Sequence, residues 1–194
     1  MANIIFIILG LVLALEGLGQ SVGIGEPRLP VWTITTLEEG QEIRITVECS
    51  GYSVAPVPGG VALRMPGQAS SGQAGTPDIP RLSKLISGLP AATAVLTLKG
   101  YDSTNIPNVV VAPVEGYEVE QLDKGARELR PYRRISSEVY DADQFWPEGF
   151  GHVSEAWIGT QKVVRVECYP VHYNPVTKTL CFYRRLEGVV RFER

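Results

Sequence analysis

Three cysteines and two histidines are the residues of this 194-residue chain best suited to nucleophilic or metal chemistry. Cys168, His172 and Cys181 fall together in "CYPVHYNPVTKTLCFYRR", residues 168–185. A nucleophilic thiol needs its imidazole base within hydrogen-bond reach. Same-face neighbours along a strand stand roughly 7 Å apart, so Cys168 and His172, two such steps apart, cannot form a dyad on one unbroken strand. If "NPVTK" is a turn, Cys181 comes back opposite or diagonal to Cys168 or Pro170. A directly opposed pair could form a disulfide and a diagonal pair could not, so Cys168 and Cys181 are either one bridge or two packed thiols. Cys49 continues the apolar face of "EIRITVEC" and reads as a small core residue. The cysteine spacings match no common zinc pattern. His152, in "EGFGHVSEAW", has no histidine or cysteine neighbour in sequence. Asp141 and Asp143 in "YDADQF" are spaced like the start of a calcium loop, but no glutamate completes it, and a solvated turn is the plainer reading. There is no G-x-S-x-G, no phosphate loop and no G-x-G-x-x-G. The residues point to no catalytic group, no metal and no cofactor.

The elements that carry these residues read as strands. Twenty glycines and fourteen prolines punctuate the chain, which favours short strands and turns over long helices. "EIRITVEC" alternates apolar and polar residues, as a half-buried strand does. "PVPGG" makes a turn into a second strand, "VALRMPG". "RLSKLISGL" has helical spacing but is short and lies between Pro80 and Pro90, so an extended segment is expected. "ATAVLTLKG" and "NVVVAPVEGYEVEQL" supply further strands, with a break or edge at Pro113. "DKGARELRPYRRISS" is the most polar stretch and reads as an exposed loop, with a short helix after Pro131 as the other reading. "AWIGTQKVVRVECYPVHY" reads as one long strand, and Pro170, which has no N–H, places an open edge or bulge there. "TLCFYRRLEGVVRFER" returns as its partner. The expected fold is all-β, an antiparallel β-sandwich (jelly-roll-like) after an N-terminal signal segment.

Residues 4–15 form a nearly unbroken apolar run of signal-peptide length, and Gly17 and Gly19 give a small-x-small site before Gln20. The expected division is a signal peptide at 1–19 and one domain at 20–194, with 20–67 a variable N-terminal strand region. An uncleaved anchor is the alternative, and either puts the domain outside the cytoplasm. The net charge is −3 and the pI about 5.5. With no basic stripe among aromatics, nucleic acid is not expected as a partner. Residues 127–134, "RELRPYRR", are the only dense basic patch.

"YDADQFWP" followed by "GTQKVVRVECYPVHYNPVTKTLCFY" resembles the C-terminal part of the propeptide of gingipain-like cysteine peptidases. The matching residues are Tyr140, Phe145 with Trp146 and Pro147, the run Pro170, Val171, His172, Tyr173, Asn174 and Pro175, and Leu180. "GTPDIP" fits that family's Gly-x-Pro-x-Leu-Pro element through Gly75, Pro77 and Pro80, with Ile79 in place of leucine. The resemblance implies a β-sandwich prodomain that precedes a caspase-like catalytic domain, covers its cleft, assists its folding and is removed on activation. It implies a basic side chain on a prodomain loop that enters the specificity pocket. Arg127, Arg130, Arg133 and Arg134 are the candidates here, a solvated loop being the other reading. The implied partner is the cognate catalytic domain. Membrane is met only in export, and the implied location is secreted, periplasmic or at the cell surface. The family's catalytic His and Cys lie in a domain this sequence does not contain, so His172 and Cys168 inherit no catalytic role. The chain is then a truncated precursor or a stand-alone homologue acting in trans. The alternative is a free-standing extracellular binding or adhesion module using exposed aromatics such as Trp146 and Trp157.

Overall fold

The computed structural model describes residues 24–37, 41–70, 72–121 and 127–194. The predicted signal peptide, 1–19, and its cleavage site lie outside the described residues. The elements in the first half are β1 (Val31–Leu37), β2 (Glu42–Glu48), β3 (Ser53–Val57), β4 (Gly60–Arg64), β5 (Ala69–Ser70) and β6 (Pro80–Ser87). Then come β7 (Thr93–Ile106), β8 (Gly116–Gln121), β9 (Arg127–Tyr132) and a single-turn helix α1 (Ser137–Tyr140). The chain ends with β10 (Gly151–Ile158), β11 (Gln161–Cys168), β12 (Val171–Asn174) and β13 (Thr179–Glu193).

Two antiparallel sheets share one core. In the first, β1, β2, β13 and β12 follow one another, and β7 runs along β13 from Leu180 to Glu193. The second has the order β10-β11-β6-β5. Alternation decides which side of each strand is buried. Ile43, Ile45 and Val47 of β2 and Phe182, Leu186 and Val190 of β13 meet Leu82, Ile86, Val164, Val166 and Cys168 of the other sheet in one cluster. Each large apolar side chain so buried contributes about 1.5–3 kcal/mol. The antiparallel β-sandwich expected from sequence is the fold found.

Tyr52 is fully buried in this core, edge-on to Phe182 with ring centroids 5.3 Å apart. Its hydroxyl has no hydrogen-bond partner among the described residues. A buried unpaired hydroxyl costs about 1–3 kcal/mol. Tyr52→Phe is therefore expected to stabilise the domain by about 1 kcal/mol in urea denaturation. A loss of stability would show that the hydroxyl has a partner after all.

One local expectation holds and two change. Residues 80–87 are extended, as expected: Leu82 and Ile86 point into the core while Leu85 points out, a pattern that four-residue spacing satisfies on a strand as well as on a helix. The long strand expected through residue 173 is instead three strands. A turn at Gly159 separates β10 from β11, and the chain then changes sheet: Cys168 pairs with Leu82, whereas Val171 pairs with Phe182. Pro170 sits at that corner, where no ladder N–H is needed, and its carbonyl accepts from Tyr183 N–H at 2.8 Å. The described part of the polar stretch, from Arg127, is exposed as expected but is no loop, and a short helix does follow Pro131. Residues 127–132 form a strand, and the helix begins at Ser137.

Candidate functional site

The polar stretch forms one arm of a ribbon. Among the described residues β8 and β9 pair only with each other, in the register Gly116↔Tyr132 through Gln121↔Arg127. Paired residues share a face, so Tyr117, Val119, Leu129, Pro131, Gln121 and Arg127 lie on one side. The other side carries Glu118, Glu120, Glu128, Arg130 and Tyr132. Tyr117, Val119 and Leu129 are 61%, 61% and 65% exposed, so this apolar side faces solvent. A two-stranded ribbon is marginal unless something covers it.

The four arginines do not behave alike. Arg130 is ion-paired with Glu120. Arg133 donates to the Pro113 carbonyl at 2.6 Å and lies 3.4 Å from Glu115. Arg134 meets Glu118 at 3.2 Å and sits over the Tyr132 ring. Arg127 is exposed at the far end of the ribbon, beside the apolar side, and has no ion partner among the described residues. The connection 122–126 lies outside the described residues.

The motif residues hold the root of this ribbon. Gly75 has φ +87°, and a Cβ there would come within 2.9 Å of the Arg134 carbonyl. Its N–H donates to Val114 O and its carbonyl accepts from Ser136 N–H, so it ties the incoming strand to the outgoing one. Pro77 bridges to Pro113. Pro80 opens β6 opposite Ser70. Asp78, buried between Pro77 and Pro80, accepts from both Arg64 guanidinium nitrogens at 2.8 and 2.9 Å and from the Ser70 hydroxyl at 2.8 Å. Two tyrosines clamp the segment leading into β8: the Tyr140 hydroxyl donates to Val111 O and the Tyr173 hydroxyl to Val109 O, each at 3.0 Å. Burial pushes both phenols up, so both remain donors. Trp146, which precedes Pro147, exchanges two backbone hydrogen bonds with Tyr173. The Asn174 side-chain oxygen accepts from Val176 and Thr177 N–H, shaping the turn that holds Pro175, and its amide donates to Asp143 at 2.9 Å. Leu180 is fully buried. Asp143 is thus a turn partner, and Trp146 is partly buried against the core rather than exposed, while Trp157 is exposed.

The thiols take the packed, unbridged form of the two readings open to Cys168 and Cys181, and Cys49 is a core residue as expected. All three cysteines are free and buried. The Cys168–Cys181 bridge does not form, because the sheet change at Pro170 puts Cys168 in one sheet and Cys181 in the other. Cys181 stands opposite His172 instead, because the turn lies between Asn174 and Thr179, later than a pairing with Cys168 or Pro170 requires. His172 packs at a tilt on Phe150 and edge-on to Tyr183, and burial pulls its pKa down to about 4, leaving it neutral. Burial pushes the Cys49 and Cys168 thiols up to about 12, away from the reactive thiolate form. His152, set across from Glu167, contacts it at 2.9 Å and the Tyr169 hydroxyl at 3.3 Å. Among the described residues, no group of three or more His, Cys, Asp or Glu could hold a metal ion. A maleimide titration is expected to label the three thiols only after unfolding. Fast labelling of any of them in the folded protein would contradict this placement.

Comparison with known proteins gives three findings. The family model described as Propeptide_C25 matches residues 60–194. The solved "Complex of Porphyromonas gingivalis RgpB pro- and mature domains" is 21% identical with a TM-score of 0.69, covering 85% of this chain and 85% of that one. The structure described as "Structural insight into zymogenic latency of gingipain K from Porphyromonas gingivalis" is 16% identical with a TM-score of 0.67, covering 90% of this chain and 99% of that one. No curated protein matches the chain.

Proposed function

This chain belongs to the Propeptide_C25 family, and from that premise we propose that it keeps a gingipain-like cysteine peptidase latent by laying its ribbon along the enzyme's cleft. It is a propeptide domain and not a catalytic one. The observation that carries the reading is the ribbon formed by β8 and β9. Its apolar side, Tyr117, Val119 and Leu129, leads to Arg127 at the tip. A peptidase that cleaves after basic residues offers a groove for extended chain and an acidic specificity pocket beyond it. The apolar side fits such a groove, and Arg127 fits such a pocket. Arg130, Arg133 and Arg134 instead brace the ribbon and its root through their own glutamates. The same surface, covering the immature enzyme, would assist its folding.

Gingipain propeptides belong to exported enzymes, and among the described residues no helix is long and apolar enough to cross a membrane. The proposed site of action is outside the cytoplasm: secreted, periplasmic or on the cell surface. The proposal covers a precursor as well as a homologue acting in trans. The purified chain is expected to inhibit, in a dose-dependent way, at least one of a panel of gingipain-type catalytic domains. A blank result across arginine-specific and lysine-specific enzymes would overturn the reading. A second reading, an extracellular binding or adhesion module, draws on the exposed Trp157 and Ile158 at the turn end of the β10–β11 hairpin and the exposed Leu85 on neighbouring β6. A glycan and cell-surface binding screen that stays blank would count against it.

A further inference from the structure

β1 is the outer strand of the five-stranded sheet, paired with β2 and, among the described residues, with no other strand. Its sequence, Val-Trp-Thr-Ile-Thr-Thr-Leu, has no charge, no proline and no glycine. Natural sheets usually guard such an edge with lysine, proline or a bulge, because its unpaired N–H and C=O groups template another strand. None of these guards is present within β1.

A second feature lies on the same strand. Ile34 pairs with Ile45, so the two point to the same side of the sheet. Ile45 is fully buried, yet Ile34 is 38% exposed. Although Ile34 faces the core side of the sheet, the described residues of the opposing layer cover it only in part. Trp32, on the same side, is only partly buried. Open hydrogen-bonding groups and a partly covered apolar side chain thus coincide on one strand.

We infer that β1 is a homodimer interface, in which the β1 strands of two copies pair antiparallel about a two-fold axis at Ile34. The strand is self-complementary in that arrangement. Ile34 meets Ile34, Trp32 meets Thr36, Thr33 meets Thr35 and Val31 meets Leu37, with no like charges opposed. A two-fold contact of this kind is isologous and closes on itself. It joins two five-stranded sheets into one and covers both Ile34 side chains. The inference does not depend on the peptidase reading, since β1 and the ribbon are separate elements.

The register gives a specific test on the full chain. Directly opposed residues come within disulfide distance, whereas residues offset by four positions stand roughly 13 Å apart. Under oxidised glutathione, Ile34→Cys is expected to give a covalent dimer, and Thr36→Cys at the same concentration is not. By sedimentation, Ile34→Lys is expected to weaken the dimer by at least about tenfold, because it opposes two like charges on the axis. Circular dichroism checks that this variant is folded, and the cysteine pair does not depend on it. A monomer at every concentration would overturn the inference. So would a dimer indifferent to Ile34→Lys in the folded variant, or crosslinking at position 36 equal to that at 34.

Discussion

Arg127→Ala is expected to weaken inhibition of the cognate peptidase about a hundredfold, while alanine at Arg130, Arg133 or Arg134 changes it only a few-fold. The contrast rests on what each guanidinium already does. Glu120, Glu115 with the Pro113 carbonyl, and Glu118 hold the latter three against the ribbon. Moving any of them into a pocket would first break its own ion pair. Arg127 has no such tie among the described residues and stands where Tyr117, Val119 and Leu129 point the ribbon's tip. A cation buried against an acidic pocket is the kind of anchor whose truncation costs most, since it leaves the partner's charge unpaired. Titrating each variant against the enzyme separates the cases. Equal losses at all four positions would mean that the patch acts through net charge alone. A loss confined to Arg133 would point to collapse of the root instead.

The second large effect is on stability in acid. His172 is 5% exposed, its Nε2 is buried without a partner among the described residues, and burial pulls its pKa from 6.5 to about 4. The Tyr169 carbonyl, which accepts from the ring, opposes that shift only in part. Between about pH 6.5 and 4 the unfolded chain binds a proton at this residue and the folded one does not. Stability contributed by neutral His172 is therefore complete above pH 6.5 and lost as pH falls toward 4. At roughly 1.4 kcal/mol per pKa unit the loss is about 3 kcal/mol. His172→Phe keeps the packing on Phe150 and Tyr183 and has nothing to protonate. The difference between the parent and this variant is expected to grow by about that amount from pH 7 to pH 4 in denaturant titrations. A difference that stays flat would mean that His172 is solvated. The effect reaches the ribbon, because His172 is followed by Tyr173, whose hydroxyl holds Val109.

Much of this was legible in the residues. Alternation in "EIRITVEC", prolines around "RLSKLISGL" and aromatic runs on either side of "NPVTK" each name a strand or a turn through local sterics and burial. The motif of Pro170, Tyr173, Asn174 and Pro175 was readable as a family mark before its work was known. In the structure Tyr173 and Asn174 make specific hydrogen bonds, Tyr173 to the segment feeding the ribbon and Asn174 to its own turn. The ribbon itself was not legible. "RELRPY" has no clean apolar alternation, since neither of its faces packs on the core, and its pairing with β8 depends on chain held in place by Gly75 and Tyr140.

The cysteines show the same division. Strand period and ligand spacing are local properties, so the residues alone put Cys168 and Cys181 on strands with no metal or nucleophile spacing around them. Which strand faces which was decided only in the tertiary structure. The chain crosses between sheets at Pro170 because one layer must cover the other to bury Val166, Cys168, Val171 and Phe182. That crossing separates the two thiols and strips the imidazole of water, while the turn sets His172 against Cys181. Alternation can specify the face of a strand, but the partner across the core is chosen by packing between segments far apart in the chain.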